Sequence, residues 1–405
     1  MQMDAWKTEK ASYYRKHLLK DIMPFWDARC IDSQFGGYQI NLDRSGRPTD
    51  PDKYIWFQAR QTYVYGLLYN EIEQRESWLE NARWGYAFLK ERAYAGNGRF
   101  HYHMSREGQV KVGTISVFTD CYAVQAISEV FRAGGCQDMS CFSFLNECYD
   151  ALERNIMDPY FKDIYENTWS EKYIWHDLYL TACSAADTVS DSLGEARTKK
   201  LLDFCLDKIF NWFVREDHKL VFEAVGWDKC LHLDDVHGRF INPGHGLESM
   251  WFCMNIAHKR GDAQMIQKAL EVTKWMADFG TDRDYGGVFS YLDARGGTPE
   301  AIDWFKATDS LWDDKVWWVQ SEALCCFAMA YVLSGGDSYY RERFDALHEF
   351  CHKHFFDQVY GEWYERLYRD GSVKNPHKGT MWKSAYHLGR AVIFIIRFLE
   401  DRHLS

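Results

Sequence analysis

The sequence places His245 where an imidazole could move a proton. It follows the turn Asn242-Pro243-Gly244, and a helix that begins after this turn holds His245 in its first turn. The free backbone N–H groups and the helix dipole disfavour a positive charge at that end, so we expect a neutral imidazole that acts as a base near neutral pH. Glu248, three residues further on and on the same helix face, is expected to orient the ring. The alternative is a histidine that only caps its own helix.

A second histidine, His387, lies in the segment WKSAYHLGR at residues 382–390. It stands between Tyr386 and the apolar run that follows Arg390. Such a position is typical of a buried core histidine whose ring nitrogens are satisfied by neighbours. The residues alone therefore favour a structural role for His387, with proton transfer as the alternative.

Arg60 lies in the middle of a predicted helix, in the aromatic segment KYIWFQARQ at residues 53–61. A guanidinium group is not expected to be buried without an anionic partner. Arg60 therefore either pairs with a carboxylate such as Glu322 or Glu248, or faces a cleft and binds an oxyanion there.

Aromatic residues and one further histidine complete the set of candidates. Trp318 and Glu322 share the segment WWVQSEA at residues 317–323, which predicts either a sugar-stacking platform with a polar contact or a packed inner helix. Trp382 offers a second stacking face. His176 begins the predicted inner helix of the middle repeat and is a further candidate for the cleft.

A repeated pattern separates these candidates along the chain. A glycine, an alternation of apolar and polar residues and a charged glycine turn recur at 36–46, 98–108, 286–296 and 361–371. A weaker copy begins at 219, and a candidate sixth copy spans 158–166 without the glycines. Alternation that runs into a glycine turn predicts a short strand. The copies begin roughly 60 to 75 residues apart, which predicts a repeat architecture.

Between the glycine turns, apolar residues recur at helical spacing. This periodicity predicts twelve helices, over residues 4–29, 53–70, 72–93, 117–134, 140–156, 173–190, 194–213, 245–260, 262–279, 314–334, 337–355 and 383–402. Two helices in each of six repeats predict an all-α toroid of six inner and six outer helices, an (α/α)6 barrel with short β-hairpin-like loops. An open superhelix is the alternative. Because no linker or low-complexity run interrupts residues 1–405, we predict a single domain.

Composition narrows the classes of function. A net charge of -11 without any basic run argues against nucleic-acid binding. The N-terminus has no apolar signal-peptide core and no segment approaches the roughly 18 apolar residues of a membrane span, so we expect a cytoplasmic protein. The 12 cysteines include no CxxC pair and no zinc-like spacing, so we expect reduced core thiols and no metal site. The 17 Trp and 25 Tyr suit a sugar cleft.

Six segments taken together resemble the N-acylglucosamine 2-epimerase family. They are DxxxGGYxxxLDRxG, KYIWFQARQ, NPGHGLE, WWVQSEA, YGEWYERLYRDG and WKSAYHLGR, and they follow the order of that family from about residue 26 to residue 395. The resemblance implies an (α/α)6 barrel and the interconversion of C2 epimers such as N-acetylglucosamine and N-acetylmannosamine. Related branches epimerise cellobiose or mannose, or convert aldoses into ketoses.

The resemblance also implies roles for particular residues. The family's two catalytic histidines, its essential arginine and its two acidic residues fall on His245, His387, Arg60, Glu248 and Glu322. His176 matches a further histidine of the cleft. The ending YHLGR departs from the FHVPR of the acylglucosamine enzymes and is nearer to the YHNGR of the disaccharide epimerases, which leaves the sugar open.

These roles predict a proton transfer at C2 of an open-chain aldose through an enolate. Inversion needs one acid-base group on each face of C2, which explains a pair of histidines. We expect Arg60 to stabilise the charge on O1 and Glu248 to orient His245. Glu322 and His176 are expected to hold hydroxyls or to assist ring opening.

The predicted reaction requires no metal and no redox cofactor. ATP activates some members of the resembled family, which makes an allosteric nucleotide an open question for this chain. The segment HKGTMWKS lacks the GxxxxGK[ST] spacing of a phosphate loop, so the sequence gives no support for ATP binding.

Two other classes of protein fit parts of the pattern. A glycoside hydrolase or lyase needs two carboxylates roughly 5 to 10 Å apart across the cleft, and Glu248 with Glu322 or Asp120 is the candidate pair. A non-catalytic sugar- or protein-binding scaffold would require neither histidine. The expected partner is a small sugar, without nucleic acid or membrane, and a homodimer is left open.

Overall fold

The computed structural model describes residues 4–161, 172–303, 306 and 309–402. Within this part of the chain, twelve helices of 13 or more residues form the frame of the molecule. They are α1 Ala5–His17, α2 Ile55–Glu71, α3 Glu76–Phe88, α4 Val117–Ala133, α5 Met139–Met157, α6 His176–Leu193, α7 Glu195–Lys208, α8 Pro243–Arg260, α9 Ala263–Gly280, α10 Trp317–Leu333, α11 Ser338–His354 and α12 Tyr386–Leu399. Two shorter helices lie at Met23–Asp27 and Val236–Arg239.

Six of the long helices form an inner ring. α2 packs on α4, α4 on α6, α6 on α8, α8 on α10, α10 on α12, and α12 returns to α2. The other six lie outside, each against an inner helix, and α1 completes the outer ring by packing on α12. This closed cycle confirms the predicted (α/α)6 barrel and excludes the open superhelix.

Burial follows from the two rings. The inner helix α2 buries every residue from Ile55 to Leu68, because it has inner neighbours on two sides and an outer helix behind it. The outer helix α9 buries a single stripe that includes Ala269, Val272 and Met276, at the spacing expected for one helix face. The apolar core therefore fills the space between the rings.

Short antiparallel strands cover the end of the barrel at which the inner helices begin. They are β1 Asn41–Leu42, β2 Pro48–Asp50, β3 Lys53–Tyr54, β4 Tyr94–Gly96, β5 Arg99–Phe100, β6 His103–Met104, β7 Val110–Val112, β8 Tyr173–Trp175, β9 Val214–Arg215, β10 Leu220–Val221, β11 Ala224–Gly226, β12 Phe240–Ile241, β13 Leu292–Asp293, β14 Lys315–Val316, β15 Arg366–Leu367 and β16 Val373–Asn375. β3, β8, β12 and β14 lead directly into α2, α6, α8 and α10, and they pair with β6, β11, β13 and β15. This loop layer fixes where each inner helix starts.

The glycines of the repeated turns adopt a backbone conformation that side chains disfavour. Gly46, Gly108, Gly296 and Gly371 have φ angles between 78° and 93° and stand just after β1, β6, β13 and β15. The predicted short strands that run into glycine turns are therefore confirmed. The candidate copy at 158–166 lies largely outside the described residues.

The predicted helix boundaries differ from the structure mainly at helix starts. The helices predicted from 53, 173 and 314 begin two or three residues later, because their first residues pair as β3, β8 and β14. The helix predicted over 4–29 is broken by a π-turn at Leu18–Ile22 before Pro24. Similar π-helical segments end α3 and α7 at Leu89–Ala93 and Ile209–Phe213, and Pro24 stands in the first turn of the short helix that follows, where its missing N–H costs no helical hydrogen bond.

Three buried carboxylates tie the loop layer together, each between one lysine and one arginine. Asp32 lies 2.9 Å from Lys53 Nζ and 3.0 Å from Arg106 Nε. Asp282 lies 2.9 Å from Lys315 Nζ and 2.8 Å from Arg369 Nε. Asp357 lies 3.2 Å from Lys378 Nζ and 2.7 Å from Arg44 Nε. Each arginine comes from a glycine turn, which explains the charged residues there. Burial raises the pKa of the Asp32 and Asp282 carboxyls, but the cationic partners outweigh it and bring both pKa values to about 2.

All twelve cysteines are unpaired, and ten are buried as predicted. Cys136 and Cys230 are exposed, so the expectation of core thiols is wrong for these two, which lie in turns outside the barrel helices. None of the helices in the described ranges combines the length and the apolar character needed to cross a bilayer.

Candidate active site

A cavity of about 240 Å³ opens at the end of the barrel where the inner helices begin. Six of the eight residues singled out in the sequence line it: Arg60, His245, Glu248, Trp318, Trp382 and His387. Glu322 lies directly behind His387, and His176 lies outside the wall. The structure thus brings most of the candidates into one site.

His245 is held at the start of α8 by two polar neighbours. Asn242 caps the helix, and its side chain accepts a hydrogen bond of 3.2 Å from the His245 N–H. The ring Nδ1 lies 2.8 Å from Glu223 Oε1. Burial lowers the pKa of His245, but the Glu223 carboxylate more than offsets this effect and raises the pKa to about 9.

Two predictions for His245 are therefore wrong. The imidazole is a cation and not a neutral base, because a carboxylate in direct contact outweighs a helix end, which contributes only about 0.3–1 kcal/mol. The orienting group is Glu223, whereas Glu248 pairs with Arg390. His245 is thus prepared to donate a proton from Nε2.

His387 lies in the first turn of α12 and has the opposite character. Its Nδ1 lies 2.7 Å from Glu322 Oε1 and 3.8 Å from Glu248 Oε1. Burial lowers the pKa of His387 well below its ordinary value; Glu248 opposes this effect, while the positive charges of Arg60 and Arg390 add to it. A neutral ring whose Nδ1–H donates to Glu322 leaves the Nε2 lone pair free to accept a proton.

Arg390 is the cation that neutralises the two glutamates. Its Nη2 donates to Glu322 Oε1 at 2.6 Å and also to Glu248 Oε1, and its Nη1 donates to the Tyr386 hydroxyl at 2.7 Å. Burial lowers the pKa of Arg390, but its anionic partners raise it well above the ordinary value. Of the two arrangements left open for Arg60, pairing with these carboxylates is therefore not the one found, because Arg390 takes that place.

Arg60 faces the cavity, the second of the two arrangements expected from the sequence. Its Nη2 donates to the Tyr122 hydroxyl at 2.5 Å, and its guanidinium carbon lies 4.0 Å from the centre of that ring. Tyr122 itself lines the cavity. Arg60 is thus oriented by an aromatic partner without being neutralised by a carboxylate, which suits it to a developing oxyanion.

The two predicted tryptophans lie in the cavity wall. Trp318 contacts both histidines, with ring centres 5.0 Å from His245 and 5.5 Å from His387 at tilts of 35° and 40°. Trp382 packs edge-on against Trp56 at 5.5 Å. Because one indole touches both histidines, Trp318 helps to set the distance between them and limits where a ligand can lie.

His176 does not occupy the cavity. It is fully buried, and its Nδ1 lies 3.6 Å from Glu223 Oε2, on the far side of the carboxylate from His245. The structure therefore leaves the predicted contact of His176 with substrate as a prediction, because His176 faces Glu223 and does not line the cavity. Its position is that of a support for Glu223.

Sequence reasoning did not assign roles to Glu223, Asp177 or Arg390. Glu223 stands at the fifth position of the glycine-strand repeat, where Ser290 and Glu365 stand in other copies, and all three line the cavity. Aligning the repeats would have exposed this position as one that faces the axis. Arg390 belongs to the segment WKSAYHLGR, but its two carboxylate partners lie 142 and 68 residues away along the chain.

Oxygen and nitrogen atoms of Glu248, Glu322 and His387 lie within 4.8 Å of one another, close enough to hold a cation. The Arg390 guanidinium already donates to both carboxylates there. The same short spacing places Glu248 and Glu322 on one side of the cavity. The two catalytic carboxylates of a glycoside hydrolase instead lie on either side of the glycosidic bond that is cleaved. The other predicted hydrolase partner, Asp120, is buried and paired with Arg99.

A closed (α/α)6 barrel whose mouth holds a cationic histidine, a neutral histidine and an arginine defines an acid-base enzyme for a small polar substrate. The family model for N-acylglucosamine 2-epimerase (GlcNAc 2-epimerase) matches residues 36–391. The N-acylglucosamine 2-epimerase of Bos taurus is 28% identical, over 98% of this chain and 92% of its own length. The chain belongs to the N-acylglucosamine 2-epimerase family, which confirms the family predicted from the sequence and the class of carbohydrate epimerases.

Solved structures agree with the fold. A cellobiose 2-epimerase from Spirochaeta thermophila superposes with a TM-score of 0.82 at 20% identity, covering all of both chains. A D-mannose isomerase superposes with a TM-score of 0.83 at 17% identity, covering 98% of this chain and 100% of the other. At such identities the structural similarity establishes the barrel fold alone, so the substrate has to be inferred from the residues of the site.

Proposed function

We propose that this protein is a 2-epimerase that interconverts N-acetylglucosamine and N-acetylmannosamine. The observation that carries the proposal is a pair of histidines in opposite protonation states, both in contact with Trp318 in one cavity. A base and an acid that are prepared at the same time are what inversion at one carbon requires.

The first step is removal of the C2 proton from the open-chain sugar. That proton is acidic because the electrons left behind delocalise onto the carbonyl oxygen O1 as an enolate. His387 accepts it on Nε2, since its Nδ1–H is bonded to Glu322. Arg60 stabilises the negative charge that develops on O1, the type of interaction that usually contributes most to such a rate.

The second step is return of a proton to the opposite face of C2. His245 supplies it from Nε2, while Nδ1 remains bonded to Glu223. After one turnover His387 is protonated and His245 is neutral, which is the state required for the reverse reaction. Exchange of both protons with solvent restores the resting state before the next forward turnover.

The choice of sugar has support from sequence similarity. Relatives named N-acylglucosamine 2-epimerase align over nearly the whole chain at up to 28% identity, against 24% for a cellobiose 2-epimerase from Bacteroides fragilis. Epimerases of mannose, cellobiose or mannobiose use the same first step. An aldose-ketose isomerase differs only in the carbon that receives the proton, C1 in place of C2.

The test is incubation of the purified protein in heavy water with N-acetylmannosamine, N-acetylglucosamine, mannose, glucose, cellobiose and mannobiose. NMR follows deuterium at C2 and the product formed. We expect exchange and epimerisation of the N-acetylated pair to be the fastest. Faster turnover of an unsubstituted sugar would reassign the substrate, and deuterium at C1 with a ketose product would make the protein an isomerase.

His387→Asn and His245→Asn are the variants to compare, with His218→Asn as the control because His218 is exposed and does not line the cavity. We expect the first two to lose epimerisation by at least about a thousandfold, in line with removal of a general base or acid, and the control to keep it. Near-normal turnover in both site variants would rule the mechanism out.

A further inference from the structure

Asp177 lies in the cavity wall in the first turn of α6, and no step of the proposed reaction uses it. Its Oδ1 atom is buried and finds no hydrogen-bond partner among the described residues. A buried polar atom without a partner is costly, so its presence at a ligand cavity calls for a group that completes its bonding.

The charged groups that face Asp177 are Glu223, from the segment between β10 and β11, and His245 from α8. Glu223 already has its cation, since His245 Nδ1 lies 2.8 Å from its Oε1. The other cations of the wall are engaged elsewhere, with Arg60 bonded to Tyr122 and Arg366 bonded to Ser310. Two carboxyl groups therefore compete for one imidazolium, and Glu223 holds it.

This competition separates the two carboxyl groups by protonation state. Burial raises the pKa of Asp177 and the negative charge of Glu223 raises it further, to about 7, although His245 opposes both. Burial also raises the pKa of Glu223, but His245 and His176 outweigh that and lower it to about 2. Of the two carboxyl groups, Glu223 is thus the ionised one and Asp177 the one that more readily keeps a proton.

We propose that Asp177 is a sugar-binding residue whose neutral carboxylic acid donates a hydrogen bond to one substrate oxygen and accepts a bond from a substrate hydroxyl. The proposal rests on the proposed function only in taking a sugar as the ligand. Thr181, one turn further along α6, also lines the cavity and extends the same polar edge.

A neutral carboxyl suits this place better than an ionised one. A carboxylate can only accept hydrogen bonds, whereas a carboxylic acid can donate one and accept others. A sugar hydroxyl both donates and accepts, so it can satisfy the acid and the unpartnered Oδ1 together. Ionisation of Asp177 would remove the donor and place a second negative charge beside Glu223.

The experiment measures binding of two alditols, N-acetylglucosaminitol and mannitol, through the fluorescence of the cavity tryptophans. With a pKa of about 7, the protonated fraction of Asp177 falls from about nine-tenths at pH 6 to about one-tenth at pH 8. We therefore expect the affinity of the native protein to fall about tenfold over this range. The pKa values of His245 and His387 lie outside it, so those groups do not mask the effect.

Asp177→Asn and Asp177→Ala are the variants to compare. Asn keeps a donor and an acceptor at every pH, so its affinity should stay flat from pH 6 to pH 8, whereas Ala should bind weakly at both. Infrared difference spectra of native against Asp177→Asn protein should show the carbonyl band of a protonated carboxyl group at pH 6. Thermal unfolding confirms that each variant is folded.

Native-like affinity and pH dependence in Asp177→Ala would overturn the proposal. Failure of the native protein to bind either alditol would do so as well, because the donor is present in the free protein. Alditols have no carbonyl group and cannot undergo exchange at C2. Binding that depends on Asp177 without any epimerisation of sugars would therefore reject the proposed function alone.

Discussion

Replacing Glu223 with glutamine tests the origin of the charge on His245. The substitution keeps the size of the side chain and one acceptor oxygen but removes the negative charge 2.8 Å from Nδ1. Burial then acts on His245 with only the weaker opposition of Asp177 and Glu248, so the pKa of His245 should fall from about 9 towards its ordinary 6.5.

The size of the effect follows from these two pKa values. At about pH 7.5, a pKa of about 9 leaves roughly 97% of His245 protonated, whereas a pKa of 6.5 leaves roughly 9%. Because the proposed reaction needs protonated His245 and neutral His387, the basic limb of kcat/KM reports the pKa of His245. We expect this limb to move down by up to about two pH units, with a loss of up to about tenfold at pH 7.5.

The assay is the pH dependence of deuterium exchange at C2, measured for native protein, Glu223→Gln and Glu223→Asp. Glu223→Asp keeps the negative charge, so its basic limb should lie at higher pH than that of Glu223→Gln. This should hold even where the greater distance from the shorter side chain to His245 lowers the rate. A basic limb that stays near pH 9 in Glu223→Gln would refute the assignment of His245 as the acid. Unfolding temperatures of the three proteins establish that a shift comes from titration and not from a damaged fold.

Three further predictions follow from the site and the loop layer. Arg60→Gln should lower kcat by about 10²–10³ with the fold intact, as measured by steady-state kinetics and circular dichroism, since it removes the charge that faces O1. Arg390→Met should destabilise the protein by about 3–5 kcal/mol in denaturant titration, because it leaves Glu248 and Glu322 buried without their cation; unchanged stability would contradict this. Because the pKa of Asp282 is lowered to about 2, its ionised carboxylate should stabilise the fold by about 2 kcal/mol, fully above about pH 4 and progressively less as pH falls through 2. Asp282→Asn should flatten this part of the curve of unfolding free energy against pH.

Local patterns carried the prediction of the barrel. Helical periodicity and glycine turns depend on neighbours in the sequence, so they located all twelve helices and the short strands that run into the glycine turns. The starts of α2, α6 and α10 were placed early because Lys53, Tyr173 and Lys315 pair with strands from the following repeat. Pairing across repeats has no local signal.

The sequence predicted most of the residues that line the site, but it did not predict the charge of His245 or the partners of the buried carboxylates. Asn242-Pro243-Gly244 located the start of α8 correctly, but the charge of His245 depends on Glu223, which arrives from another repeat. A distant carboxylate in direct contact overrides the local effect of a helix end. The same reason explains why the sequence left the place of Arg60 open, since Arg390, which bonds to both glutamates, lies far from them along the chain.

Closure of the inner ring by α12 has a consequence for the synthesis of the protein. Ribosomes produce the chain from α1 onwards, so α2, α4, α6, α8 and α10 can stack as an open arc before α12 exists. That arc already contains His245 and Glu223 but lacks His387, which arrives on the helix that joins α10 to α2. On the proposed mechanism, chains interrupted before residue 386 would therefore be inert as well as open, and activity in a cell-free translation would appear only with the completed ring.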